Sequence, residues 1–228
     1  MRGGLKVQVS ETIERVPRTE QEAANSYTRL SKWYDRFGGS EEPHIAEGLR
    51  LLNAQPGERV LEVGFGTGRS LIALAHAVGS SGQVIGIDLA EGMIAVAREQ
   101  VRKEGAAQGV MLNRGSALHL PYAAASFEAV FSSFMLDLID TPDIPIVLGE
   151  MRRVLKPGGR AGLVSMSKAC AGNVIVKVYE RFHRWLPKLI DCRPIYLQYS
   201  MEAAGLHSEA YQTRSMWGIP VEIAVAKR

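Results

Sequence analysis

Cysteine is nearly missing from this chain of 228 residues: only Cys170 and Cys192 occur, with no CxxC spacing. That excludes a disulfide framework and a thiolate metal site as organising devices, and two reduced thiols of a cytoplasmic protein are expected. No stretch of about 18 apolar residues is present and no apolar run follows Met1, so neither a spanning helix nor a secretion signal is expected. An excess of one charge is also absent. Lys and Arg number 27 against 24 Asp and Glu, a net +3 with no basic block, so no nucleic-acid partner is expected. No repeat or low-complexity segment is visible, and no His/Cys/Asp cluster has ligand spacing, so no metal is expected.

What is present is ordinary for a soluble globular protein: 46% apolar and 22% charged residues, enough chain for one α/β domain with a full core. The chain is organised around Val60-Leu61-Glu62-Val63-Gly64-Phe65-Gly66-Thr67-Gly68. An apolar run reads as a buried parallel strand, then comes an acid and a glycine turn, then a helix over 69–78. A turn at the carboxyl end of a first strand is where doubly wound α/β folds bind nucleotides.

Spacing narrows the nucleotide. The dinucleotide fingerprint needs a small last residue, and here that place falls on Arg69 or Leu71, which disfavours a nicotinamide oxidoreductase. A P-loop needs a Lys that does not follow. A second apolar strand, 84–88, ends in Asp88, twenty residues after Gly68. That is the spacing of a ribose-binding acid, and the other reading is a helix-capping Asp.

Together, Glu62 with the turn Gly64, Gly66, Gly68 resembles motif I of the class I S-adenosylmethionine (SAM) methyltransferases. The segment Gly115-Ser116-Ala117-Leu118-His119-Leu120-Pro121-Tyr122 followed by Ser126-Phe127-Glu128 is similar to that family's G-D-A-x-x-L-P-F … S-F-D. Arg152 to Gly159 is close to its R-x-L-K-P-G-G. Tyr34-Asp35 looks like the Tyr-Asp of the UbiE-like branch, which acts in ubiquinone and menaquinone biosynthesis.

The resemblance implies SAM as cofactor, S-adenosylhomocysteine as product, and a contact set of Glu62, Gly64, Gly66, Gly68, Asp88, Leu89, Met93, Ser116, Ala117 and Leu118. At the place of the family's adenine-binding Asp the chain has Ser116, which keeps only a hydroxyl acceptor there. Tyr34 and Asp137 are the catalytic candidates. Asp137 is alternatively a plain exposed loop acid, His119 is read as a surface histidine, and His183 is a further base candidate. The quinone enzymes also carry an N-D-x-M-S-x-G-x-H-R-x-W run soon after the Tyr-Asp. Here 38–44 reads Gly-Gly-Ser-Glu-Glu-Pro-His, which counts against a true quinone C-methyltransferase.

The expected fold is a seven-stranded, mostly parallel doubly wound sheet with a terminal antiparallel hairpin. Residues 1–53 would form an arm and substrate-side helices, and 54–228 a SAM-binding domain with a helical lid at about 168–200, all one unit. On that lid, Val174, Ile175, Val178, Phe182, Trp185 and Leu186 share a helical face edged by Lys177, Arg181 and Arg184. Such a face either packs on the core or caps a pocket for a small or lipid-like acceptor and touches a membrane surface peripherally. The competing functions are a non-catalytic SAM- or nucleotide-binding module and, behind it, the nicotinamide enzyme.

Overall fold

The computed structural model describes residues 13, 15–16, 18–169, 181 and 192–228, without the side chains of 32–38. Apart from Arg181, the lid helix expected near 170–187, with its apolar face and basic edge, lies outside the described residues. So do Cys170 and His183.

Seven strands form one sheet in the order β3-β2-β1-β4-β5-β7-β6. The strands are β1 Arg59–Val63, β2 Gln83–Asp88, β3 Val110–Arg114, β4 Phe127–Ser133, β5 Leu155–Met166, β6 His207–Met216 and β7 Ile219–Lys227. The first five run parallel, β7 is antiparallel to β5, and β6 is antiparallel to β7. Alternation along the strands sends side chains to two cores. Leu61, Ile85 and Val130 face one with α5 (Ile144–Val154) and α6 (Leu197–Ala203). Val60, Val84 and Phe131 face the other with α2 (Glu42–Leu52), α3 (Arg69–Val78) and α4 (Glu91–Lys103).

Two departures from the sequence reading have local causes. Strand β5 begins at Leu155, not at Ala161, because residues 156–159 bulge between Phe127↔Leu155 and Ala129↔Arg160 instead of leaving the sheet. The final turn is Trp217-Gly218, with Ile219 and Pro220 already in β7. Both turn residues have positive φ, +53° and +81°, the two-residue geometry that matches strand twist.

Helix α1 (Glu20–Phe37) is held against α4 by a close approach. A Cβ on Gly92 would meet the Thr28 carbonyl at 2.6 Å, and Gly92 N–H donates to Thr28 Oγ1 at 3.3 Å. Thr19 and Glu22 cap the start of α1 reciprocally: Glu22 accepts from Thr19 N–H and Thr19 Oγ1 accepts from Glu22 N–H. This packing brings the first turns of α1 over the carboxyl ends of β1, β2 and β3.

Candidate active site

The glycine turn is pinned from both sides. Gly64 N–H donates to the Ile87 carbonyl at 2.8 Å, and the Phe65 ring packs where a Cβ on Gly86 would stand, 2.6 Å away. Gly64, Gly66 and Gly68 all have positive φ, +72°, +53° and +89°. Their reasons differ. A Cβ on Gly68 would meet Ala97 Cβ at 2.8 Å, so Gly68 lets α3 and α4 meet. A Cβ on Gly66 would meet nothing within 4 Å: it would enter open space.

Gly66 lies on the wall of a cavity at the carboxyl ends of β1, β2 and β3. Gly64, Gly66, Asp88, Leu89, Met93, Ala117 and Leu118 lie on its wall, as do Glu20 and Tyr27 of α1 and Met135, Leu138 and Asp140 after β4. The structure therefore brings seven of the ten expected cofactor contacts onto one surface. Glu62, Gly68 and Ser116 are not on that wall.

Asp88 makes the backbone bond at the start of α4 that the helix-capping reading expects. One oxygen accepts from Ala90 N–H at the entry to α4, the other from Gly66 N–H, each at 2.9 Å. Burial pushes its carboxyl upward against these bonds. Lone pairs remain on both oxygens.

Glu62 is 1% exposed. Ser70 Oγ donates to one oxygen, and the other has no partner among the described residues. Burial, and secondarily the charge of Asp88, pushes its carboxyl up to about 8. An unpartnered buried carboxylate beside a second acid suits a cationic ligand, and the Gly66 recess suits a ligand lying close to the backbone. On the cavity wall the Gly66 recess and the Asp88 carboxylate thus fit SAM, while Glu62 is off that wall.

The raised carboxyl has a stability consequence. The folded state keeps a proton on Glu62 that the unfolded chain gives up near pH 4.5, so the penalty grows from there and is complete above about pH 8. Glu62→Gln lacks it. The melting temperature of Glu62→Gln relative to wild type is expected to rise by about 3–8 °C between pH 5 and pH 8.5, read by thermal unfolding. An equal difference at both pH values would remove the charge from the account.

Beyond the turn, a second cavity lies between α2 and α3 and shares Gly64, Gly66 and Ser133 with the first. Ile45, Leu49, Phe65 and Ala73 line its apolar part, and Glu42, Arg69, Thr67 and Ser70 its polar part. Glu41, just before α2, lines it too. The Glu41 carboxylate makes no hydrogen bond among the described residues. Burial pushes it up to about 7, opposed by the charge of Arg69. Sequence reading passed over Glu41, because 38–44 was seen only as a departure from a pattern.

The catalytic candidates fare differently. Tyr34 falls in α1, and its side chain lies outside the described residues. Asp137 is neither exposed nor on the cavity wall: it is 0% exposed. It accepts from Ser165 Oγ and from Met166 N–H at 3.0 Å, and burial pushes it up to about 7. Its carbonyl accepts from Arg193 Nη1 at 3.0 Å, and Arg193 also reaches the Ile139 carbonyl at 2.5 Å. This buried set braces the 135–141 loop, whose Met135, Leu138, Ile139 and Asp140 do reach the cavity. His119 is exposed, as expected.

A methyltransferase domain family matches residues 60–159. A demethylmenaquinone methyltransferase of Lactobacillus johnsonii is 33% identical over 174 residues, 74% of this chain and 70% of the relative. A 2-phytyl-1,4-naphtoquinone methyltransferase of Synechococcus elongatus is 41% identical over 115 residues, 50% of this chain and 48% of that one. Among solved structures, the [4+2]-cyclase SpnF superposes with a TM-score of 0.77 at 19% identity, covering 96% of this chain and 98% of that one, a likeness of fold alone. With its glycine turn, its two strand-end acids and these relatives, the chain belongs to the class I SAM-dependent methyltransferases, in their UbiE-like branch.

Proposed function

We propose that this methyltransferase methylates an apolar hydroxylated ring of quinol type, held in the second cavity, and that Glu41 takes the hydroxyl proton. The observation that carries the proposal is the junction of the two cavities at Gly64, Gly66 and Ser133, with Glu41, which makes no hydrogen bond among the described residues, beside Ile45, Leu49 and Phe65 on the second wall. The names of the relatives support the ring class. The 38–44 run, where this chain departs from the quinone enzymes, is where Glu41 sits, which supports an acceptor handled in this chain's own way.

SAM, when bound, supplies a methyl group already activated on a sulfonium, so alignment and exclusion of water are the protein's main tasks. Gly64, Gly66 and Asp88 hold and orient the cofactor, with Leu89, Met93, Ala117 and Leu118 along its sides. Ser116 acts through the partner it hydrogen-bonds. Gly68 sets the helix packing behind the turn. Met135 and Leu138 shield the cavity from solvent. Glu41, poised near neutrality, accepts the acceptor's hydroxyl proton.

In this reading Glu41, Ile45 and Leu49 furnish part of the acceptor-side wall, and the first turns of α1 part of the cofactor-side wall. Peripheral contact with a lipid surface would fall to the apolar and basic residues of 174–186, which apart from Arg181 lie outside the described residues. No helix among the described residues is long and apolar enough to cross a membrane.

The test is transfer of labelled methyl from SAM to a chemically reduced 1,4-naphthoquinone carrying an isoprenoid tail, with a total lipid extract run in parallel. Label in an organic-extractable ring product is expected. Label that enters neither sample, from a protein that binds SAM, would favour the non-catalytic module.

A further inference from the structure

We propose that Glu20, on the first turn of α1, reads the base of the bound cofactor by accepting a hydrogen bond from the exocyclic amino group of adenine. This rests on the SAM reading of the first cavity and adds a residue that sequence motifs did not mark.

Strand order sets the stage. β1, β2 and β3 lie side by side, about 4.8 Å apart. Their carboxyl ends present in turn the glycine turn, Asp88, and the 115–118 loop. A nucleoside with its ribose at Asp88 and its amino-acid end toward β1 has its base over the end of β3. Leu89, Met93, Ala117 and Leu118 form apolar walls for a flat ring there.

The polar group available at that end is not Ser116 itself. Ser116 Oγ accepts from Leu118 N–H at 3.0 Å and donates its proton to Glu20 Oε1. It is absent from the cavity wall, whereas Glu20 is on it. The serine thus presents the carboxylate of another element to the cavity. A carboxylate only accepts, and Glu20 retains lone pairs beyond the one used by Ser116. Adenine offers an amino donor at position 6. A 6-oxo purine offers an acceptor at that place, which would face Glu20 acceptor to acceptor.

Placement of Glu20 is not accidental to the helix. The Thr19–Glu22 cap fixes the first turn, the Gly92–Thr28 approach fixes the helix on α4, and Arg15 ties the preceding residues to Asp140 at 2.7 Å. Two of the residues so fixed, Glu20 and Asp140, line the cavity.

Calorimetry with S-adenosylhomocysteine and with its deaminated counterpart, S-inosylhomocysteine, tests the assignment on wild type and Glu20→Ala. Wild type is expected to prefer the 6-amino ligand by about tenfold or more, the discrimination of a site built to accept from an amino group. Glu20→Ala is expected to weaken the 6-amino ligand about tenfold and to leave the 6-oxo ligand unchanged or tighter, so the preference collapses. A loss equal for both ligands would make Glu20 a latch for the arm and overturn base reading, and no loss for either would overturn it too. A wild type that binds neither ligand would overturn the cofactor reading itself, an outcome distinct from both.

Discussion

Glu41→Gln is expected to lower methyl transfer to the reduced naphthoquinone probe by about 10²–10³-fold near pH 8, the usual range for removing a positioned base. The same variant should lose the acid limb of the rate profile. In wild type the carboxylate must be ionised to take a proton, and burial holds its pKa up to about 7. The rate therefore climbs as pH rises through about 7 and levels above it. A glutamine of the same shape cannot accept the proton at any pH, so its residual rate should not show that limb. SAM affinity should stay within about twofold, because Glu41 lines the second cavity and not the first. Asp137→Asn is the comparison. Asp137 is also pushed up to about 7, but its oxygens are used by Ser165 and Met166 within a closed core. That variant should change the melting temperature and keep the limb, moved at most to lower pH as the repulsion between Asp137 and Glu41 is lost. A Glu41→Gln enzyme with an unaltered limb would move the base elsewhere.

The contrast between Glu41 and Asp137 shows what a sequence carries and what it does not. Asp137 stood out because a family pattern places acceptor-facing residues after the fourth strand. Its burial depends on Ser165 and Arg193, which are remote in sequence and come together only in the fold. Glu41 stood among loop residues with no motif. Its interest arises from the cavity that α2 and α3 put around it and from the lack of any hydrogen bond among the described residues. Local signals fared better. The bounds of α3 follow from the residue after Gly68 and from Gly79 at its end, and both are visible in the sequence. The strands β1 and β2 are apolar runs closed by acid or glycine. Glu20 illustrates the third case: Ser116 was legible as a substitution, but its partner, on a helix ninety-six residues away, was not.

Gly66→Val is expected to reduce SAM affinity at least about 100-fold while the protein remains folded. Two effects add. The substituent enters the cavity, since no atom lies within 4 Å of a Cβ built there. The residue also sits at φ +53°, where a β-branched side chain is strained by about 1–3 kcal/mol. Relief of that strain would rotate the Gly66 N–H away from Asp88 Oδ2, 2.9 Å off, and so disturb the acid at the next strand end as well. Gly105→Val separates the two effects. Gly105 has φ +68° and equally open surroundings, but it follows α4 and is not on either cavity wall. Both variants should melt a few degrees below wild type. Only Gly66→Val should lose SAM, measured by calorimetry at a temperature where both are folded. If Gly105→Val loses SAM as well, the loss at Gly66 comes from general destabilisation. If Gly66→Val keeps its affinity, the cofactor does not lie against this turn, and Asp88 and Glu62 need another ligand to explain them.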